Sequence, residues 1–154
     1  MSSITPNQFD FEILPASWRD LNALRQLEKA CFPLDAWPLL DLVAVLSFSN
    51  VVRLKAEIGD EMVGFVAADI KPAENLAWIA TIGVLPAYRR QGIAAALLQA
   101  CEARLEVGII RLSVRRHNQT AIRLYQNLGY SQVGVWPAYY QDGTDALVFE
   151  KAIV

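Results

Sequence analysis

Apolar and polar positions alternate from Phe9 to Leu14 as in a half-buried strand. After Pro15 the period changes to a helical one, with Ser17 as the predicted N-cap and Leu21, Leu24, Leu27 and Glu28 along the helix. The prolines of Cys31-Phe32-Pro33-Leu34-Asp35-Ala36-Trp37-Pro38 end that helix and predict a shaped loop, followed by a short apolar helix from Leu39 to Phe48. Val51 to Ile58 and Met62 to Ile70 are strand-like runs around Gly59-Asp60-Glu61, a hairpin signal.

Trp78 to Leu85 reads as a further strand that Pro86 terminates. Beyond the loop 87–92, Ile93, Leu97, Cys101 and Leu105 recur every four residues with Gln99, Glu102 and Arg104 on other faces, an amphipathic helix that packs on a sheet. Gly108 breaks it and Ile109 to Val114 is the next strand, so the strand–loop–helix–strand connection is long enough for a parallel pair whose ends face one cleft. Asn118 is the predicted N-cap of a last helix with Ala121, Leu124, Tyr125 and Leu128 on one side and Gly129 in its C-terminal cap. Tyr130 to Trp136 and Ala146 to Ala152 complete the set as two strands, giving one mixed α/β sheet unit.

Composition narrows the class. A chain of 154 residues with 54% apolar and 19% charged side chains has the makings of a core and reads as one domain over residues 1–154. The net charge of −2 supplies no general attraction to nucleic acid or to an anionic membrane. No apolar stretch approaches the about 18–20 residues of a membrane helix, and Met1-Ser2-Ser3-Ile4-Thr5-Pro6 lacks a basic and an apolar targeting region, so a cytoplasmic location is expected. Cys31 and Cys101 have no Cys or His at ligand spacing and read as reduced thiols with no metal role.

The sharpest chemical feature is Arg89-Arg90-Gln91-Gly92-Ile93-Ala94, between a strand and the start of a helix. Unpaired N–H groups at a helix N-terminus carry partial positive charge, Gly92 and Ala94 permit close approach, and two arginines add fork-shaped donors, which together suit a pyrophosphate. The spacing is neither a dinucleotide fingerprint nor a P-loop.

The run Ile82-Gly83-Val84-Leu85-Pro86-Ala87-Tyr88-Arg89-Arg90-Gln91-Gly92-Ile93-Ala94-Ala95 resembles the acetyl-CoA motif of the GNAT N-acetyltransferases, with Arg89, Gly92 and Ala94 at its signature positions. The segment Ser113 to Tyr130, with Asn118 before Ala121-Ile122-Arg123-Leu124-Tyr125 and Gly129-Tyr130 at its end, resembles the second cofactor-side segment of the same family. Cys31-Phe32-Pro33 with Trp37, and Tyr139-Tyr140 before Asp145-Ala146-Leu147, look most like the ribosomal-protein-alanine and other protein N-terminal acetyltransferases.

The resemblance implies the GNAT fold: a mixed, mostly antiparallel sheet with a parallel strand pair splayed around the cofactor and helices on both faces. It implies acetyl-CoA as co-substrate, with Ile82, Gly83 and Val84 lending strand-edge groups to the pantetheine arm. Arg89, Arg90, Gln91, Gly92, Ile93, Ala94 and Ala95 would hold the pyrophosphate and Asn118 the pantetheine. Tyr125 would protonate the leaving thiolate, and Phe32, Trp37, Tyr139 and Tyr140 would line the acceptor groove. The expected acceptor is the α-amine of a protein N-terminus, with a small amine such as a polyamine, amino acid or antibiotic as the alternative. A non-catalytic acyl-CoA-binding module is a third reading, and the chain would be a monomer or a homodimer.

The match fails at the base. Relatives of the ribosomal-protein type place a Glu where this chain has Ser113, and a hydroxyl cannot take a proton from an ammonium group near pH 7. Either water relays the proton to a more distant group or the amine arrives neutral. His117, Asp69 and Glu57 are the candidates within the pattern, His117 reading rather as a phosphate or adenine contact beside Arg115 and Arg116.

Overall fold

Strand propensity and hairpin turns arrange the first half of the chain. In the computed structural model, which describes residues 10–153, β1 (Glu12–Pro15), β2 (Val51–Ile58), β3 (Glu61–Lys71) and β4 (Leu76–Val84) are joined as successive antiparallel neighbours. They are followed by β5 (Ile109–Arg115), β6 (Ser131–Trp136) and β7 (Ala146–Ala152), in the sheet order β1-β2-β3-β4-β5-β7-β6. Only β4 and β5 run parallel, and the long connection between them carries α3 (Ile93–Arg104). The expected first strand is displaced: β1 starts at Glu12, and Phe9 lies outside the described residues. Ser17 does cap, but it caps a short 3-10 turn, Trp18–Asp20, with Asp20 closing a capping box before α1 (Leu21–Cys31) begins.

Helices cover both faces, as the GNAT fold requires. On one face α1 and α2 (Leu39–Ser47) bury Leu24, Leu27, Leu42 and Val45 against Phe65 and Ala67 of β3. On the other, α3 and α4 (Gln119–Asn127) bury Ile93, Leu97, Cys101 and Tyr125 against β2 to β5. Gly64 makes the α3 approach possible, because a Cβ there would stand 2.9 Å from Leu97 Cδ1. Gly129 ends α4 with φ of +94°, the left-handed cap that its position predicts. Cys31 and Cys101 are both free, Cys101 buried and Cys31 half-buried. No helix among the described residues is long and apolar enough to cross a membrane.

One feature of α1 opposes the hydrophobic order. Glu28 follows Leu24 and Leu27 on the buried stripe and is 1% exposed. Each of those leucines contributes about 1.5–3 kcal/mol by its burial, enough to hold a group whose own burial works against folding. Glu28 Oε1 accepts a hydrogen bond from the Thr81 hydroxyl of β4 at 3.1 Å, whereas Oε2 has no partner. Burial therefore raises its pKa from 4.5 to about 7, with the Thr81 bond only partly offsetting it.

A raised carboxyl pKa binds a proton in the folded chain that the unfolded chain has already released. Between pH 4.5 and about 7 the folded state therefore loses stability as pH rises, by about 3 kcal/mol for this shift, and the loss is complete above the folded-state value. In urea titrations across that window, Glu28→Gln is expected to flatten the slope relative to the parent chain. An identical slope in the two would place Glu28 at an ordinary pKa.

Candidate active site

The site begins where the parallel pair stops. β4 and β5 are in register only at Leu76 with Ile109, Ala77 with Ile110 and Trp78 with Arg111. Immediately afterwards Ala80 is an extra residue in β4, since Ala68 faces Ile79 and Ala67 faces Thr81 on β3. A bulge bends and twists its strand, and here it turns the second half of β4 away from β5. Ile79–Val84 remain paired to β3 alone, while Leu112–Arg115 of β5 remain paired to β7. Backbone groups on the inner edges of both strands face a wedge between them, open to a ligand that pairs as a strand would.

At the wide end of the wedge the chain turns into α3. Arg90 has φ of +65° and Gly92 φ of +79°, so two left-handed residues fold the loop back onto the helix start. Gly92 is the N-cap residue, no side chain caps the α3 N-terminus, and a Cβ on Gly92 would meet nothing within 4 Å. The first N–H groups of α3, from Ile93 through Ala95, thus face open space with the positive end of the helix behind them. The Ile93 side chain itself is core. Arg89 and Arg90 are both exposed at this mouth, and the Arg89 Nε donates to the Val84 carbonyl at 2.9 Å. The Cys31 thiol donates to the same carbonyl at 3.3 Å, so Val84 spends its oxygen within the chain. An open edge followed by an uncapped helix start fits an extended arm ending in a pyrophosphate.

Two side chains of the second motif lie across the wedge. Asn118 Oδ1 accepts from the Ala121 N–H at 3.2 Å, performing the predicted N-cap of α4. Tyr125, on the α4 face, is buried with its ring edge-on to Tyr130 and tilted against Phe149. Burial, with Tyr140 as a second cause, pushes its hydroxyl well above the usual phenol range and keeps it protonated.

The opposite face carries a cluster of charged and aromatic side chains. Ile110, Leu112 and Val114 of β5 point into the α3 core, which sends Ser113 and Arg115 to the α1 face by strand alternation. Arg115 holds Asp35 of the α1–α2 loop through Nε and Nη2 at 2.7 and 2.8 Å, and Asp142 of the β6–β7 loop through Nη1 at 2.9 Å. Its guanidinium also lies 4.2 Å from the Tyr140 ring centroid. One cation thus ties together two loops that are 107 positions apart, Asp35 and Asp142. Stacking continues outward from Tyr140 to Tyr139 and Trp136, with Trp136 tilted over Trp78 of β4 at 5.5 Å between centroids.

The sequence candidates divide accordingly. Tyr139 and Tyr140 stand together beside Arg115, and Phe32 lies against Gly83, where a Cβ would meet it at 3.3 Å. Trp37 instead packs on the α1–α2 cluster. Glu57 pairs with Lys55 and Asp69 with Lys71 on the hairpin strands, and His117 is exposed at the β5–α4 turn. The residues that sequence reasoning missed are Arg115 as a clamp and Glu28 with Thr81. The first had no local signal; the second had one, a carboxylate on the apolar stripe of Leu24 and Leu27. No cluster of three or more His, Cys, Asp or Glu able to hold a metal occurs among the described residues.

Sequence and fold are both shared with known proteins. The sequence pattern of the acetyltransferase (GNAT) family matches residues 21–130. An N-alpha-acetyltransferase of Sulfurisphaera tokodaii is 32% identical over 151 residues, covering 89% of this chain and 90% of its own length. The ribosomal-protein-S18-alanine N-acetyltransferase of Escherichia coli superposes with a TM-score of 0.85 at 26% identity over 94% of each chain. Arabidopsis thaliana NAA60, in complex with a bisubstrate analogue, superposes at 0.81 with 25% identity over 94% of this chain and 98% of its own. Its family pattern runs from α1 to the end of α4, and with it the splayed strands and the α3 start, so the chain belongs to the GNAT acetyltransferase family.

Proposed function

We propose that the chain, as one domain, transfers an acetyl group from acetyl-CoA directly to the α-amine of a protein N-terminus. The observation that carries this is the parallel pair that ends at Trp78 and Arg111 and opens onto the uncapped α3 N-terminus. Acetyl-CoA, when bound, supplies the thioester that the amine attacks. Ile82 and Gly83 offer the β4 edge to the pantetheine arm, and the N–H groups of Ile93 to Ala95, with Arg90 beside them, hold the pyrophosphate. Tyr125, kept protonated by burial, presents its hydroxyl to the leaving sulfur as a donor. Arg115 keeps Asp35 and Tyr140 in place around the incoming chain.

The acceptor side favours a peptide over a polyamine. A polyamine needs unpaired carboxylates along its length, whereas Asp35 and Asp142 are both paired to Arg115 and Asp145 to Arg116. The stacked Tyr140, Tyr139 and Trp136 instead offer an aromatic wall. The similarity to N-alpha-acetyltransferases supports the same acceptor. Soluble, cytoplasmic action by a monomer or homodimer accords with this reading.

The deciding experiment is thiol release from acetyl-CoA with peptides, including one beginning with alanine, beside polyamines and amino acids. Peptide-dependent release is the expected result, and release with small amines alone would reassign the acceptor. Tyr125→Phe is expected to lower kcat by about 100-fold, the low end of an acid–base contribution, with calorimetric binding of acetyl-CoA unchanged; equal turnover would remove Tyr125 from the chemistry. Gly92→Glu and Gly92→Ala strain the same left-handed backbone, so their difference isolates charge. The Glu variant is expected to bind acetyl-CoA at least tenfold more weakly than the Ala variant, and equal affinities would move the pyrophosphate elsewhere.

A further inference from the structure

Ser113 leaves β5 without a group that can take the proton of the incoming amine. Glu28 is a buried carboxylate on the same side of the sheet. Its Oε1 accepts from the Thr81 hydroxyl at 3.1 Å and its Oε2 has no partner. Thr81 stands just after the bulged Ala80, on the stretch of β4 that β5 does not cover. Its side chain turns to the α1 face, the face that also carries Ser113 and Arg115. Because Thr81 donates to Glu28, its oxygen lone pairs are left to accept a proton from the wedge.

From this geometry we propose that Glu28 is the proton acceptor for the substrate amine, working through the Thr81 hydroxyl. The inference rests on the amine-acetylation reading above. The ammonium gives a proton to Thr81 Oγ1 while the Thr81 proton passes to Glu28 Oε1, leaving the amine neutral. The amine nitrogen then bonds to the thioester carbon as the carbon–sulfur bond breaks. Of the two protons left on that nitrogen, one stays on the amide and the other passes to the Tyr125 hydroxyl as the Tyr125 proton moves to the leaving sulfur, and Glu28 returns its proton to solvent before the next turnover. Glu28 does not touch the substrate, so it is a positioning and proton-storing residue, with Thr81 as the contact.

The surroundings suit that task. Thr81 on β4 is the hydroxyl partner, and the nearby titratable group on α1 itself is the Cys31 thiol, which burial pushes up and Glu28 raises further. Arg89, from the β4–α3 loop, acts on Cys31 and favours its ionised form. The α2 and β3 residues of this cluster are Leu42, Val45, Leu46, Met62, Phe65 and Ala67, all apolar. A tie between α1 and β4 alone would be made equally by Gln. A carboxylate whose affinity for a proton approaches that of an α-amine, ordinarily near 7.7–8.0, can in addition take one and give it back.

The test compares Glu28→Gln, Thr81→Val and Thr81→Ser with the parent chain, using acetyl-CoA and a peptide beginning with alanine. The parent kcat is expected to rise with pH to a plateau above about 7. Glu28→Gln should lower kcat about 100-fold and abolish that rise while leaving the KM for acetyl-CoA intact and the chain folded, with a thermal melt no lower than the parent's. Thr81→Val should do the same with Glu28 still present, and Thr81→Ser should restore most of the rate. Independently of turnover, carbon-13 NMR of glutamate-labelled protein should show one carboxyl titrating near pH 7 that is missing in Glu28→Gln. A Glu28→Gln enzyme with parental rate and pH profile overturns the proposal, as does a Glu28 carboxyl that titrates in the ordinary range. If the acetylation reading itself is wrong, the parent chain is silent with every acceptor, a result distinct from silence in the variants alone.

Discussion

The length of one strand pairing governs the site. β4 and β5 share three register positions and then part at the Ala80 bulge. A continued ladder would satisfy the inner backbone groups of both strands and close the sheet. Parting leaves those groups to water or to a ligand, a loss of about 0.5–1.5 kcal/mol for each hydrogen bond not made. The remainder of the sheet bears that loss, since Ile79–Val84 stay paired to β3 except at the bulged Ala80 and β5 stays paired to β7 along its length. The wedge is therefore rigid on both outer sides, and a ligand entering it does not have to order the strands first.

The α1 face beside the wedge is assembled differently, by charge instead of by backbone. Asp35 and Asp142 sit on loops that no strand pairing brings together, and the Arg115 guanidinium joins them from the end of β5. Hydrogen bonds donated to Asp35 hold this guanidinium firmly charged, and the amide N–H of Thr144, ahead of Arg115, holds the Asp142 carboxyl down at about 2. A planar fork fits this duty better than an ammonium, since it engages Asp35 through two nitrogens and still presents its face to Tyr140. Because both carboxylates are paired to Arg115, the surfaces left open at this end are aromatic.

Much of this was legible in the sequence wherever a local pattern carries it. The period of Ile93, Leu97 and Cys101, the caps at Asn118 and Gly129, and the loop with Arg90 and Gly92 each state their conformation within a few residues. The connection length correctly implied a parallel β4–β5 pair. The register of that pair was not legible, because the bulge at Ala80 depends on the fit of β3 against β4 and Ala-Thr-Ile reads as plain strand. Nor was Arg115, whose partners are chosen by the fold across 80 and 27 positions. Trp37, which the resemblance placed in the groove, packs partly buried against the α1–α2 cluster, a contact its local sequence does not state. Glu28 stood in plain view on an apolar stripe, where its periodicity made a helix and its charge made an exception.

That exception and Tyr125 show how one physical effect yields two chemical characters. Burial raises both groups, the phenol on the α4 face and the carboxyl on the α1 face. For a phenol already protonated at neutral pH, the shift changes nothing in occupancy and fixes it as a donor. For a carboxyl, the same penalty carries the group from always ionised to poised, which is what a reversible proton store requires. The sheet separates the two, with Glu28 held to β4 on one face and Tyr125 packed against Tyr130 and Phe149 on the other. In the proposed reaction a proton thus leaves the amine on one side of the wedge and another arrives at the thiolate on the opposite side without the two groups neutralising each other, and the division follows from which helix covers which face.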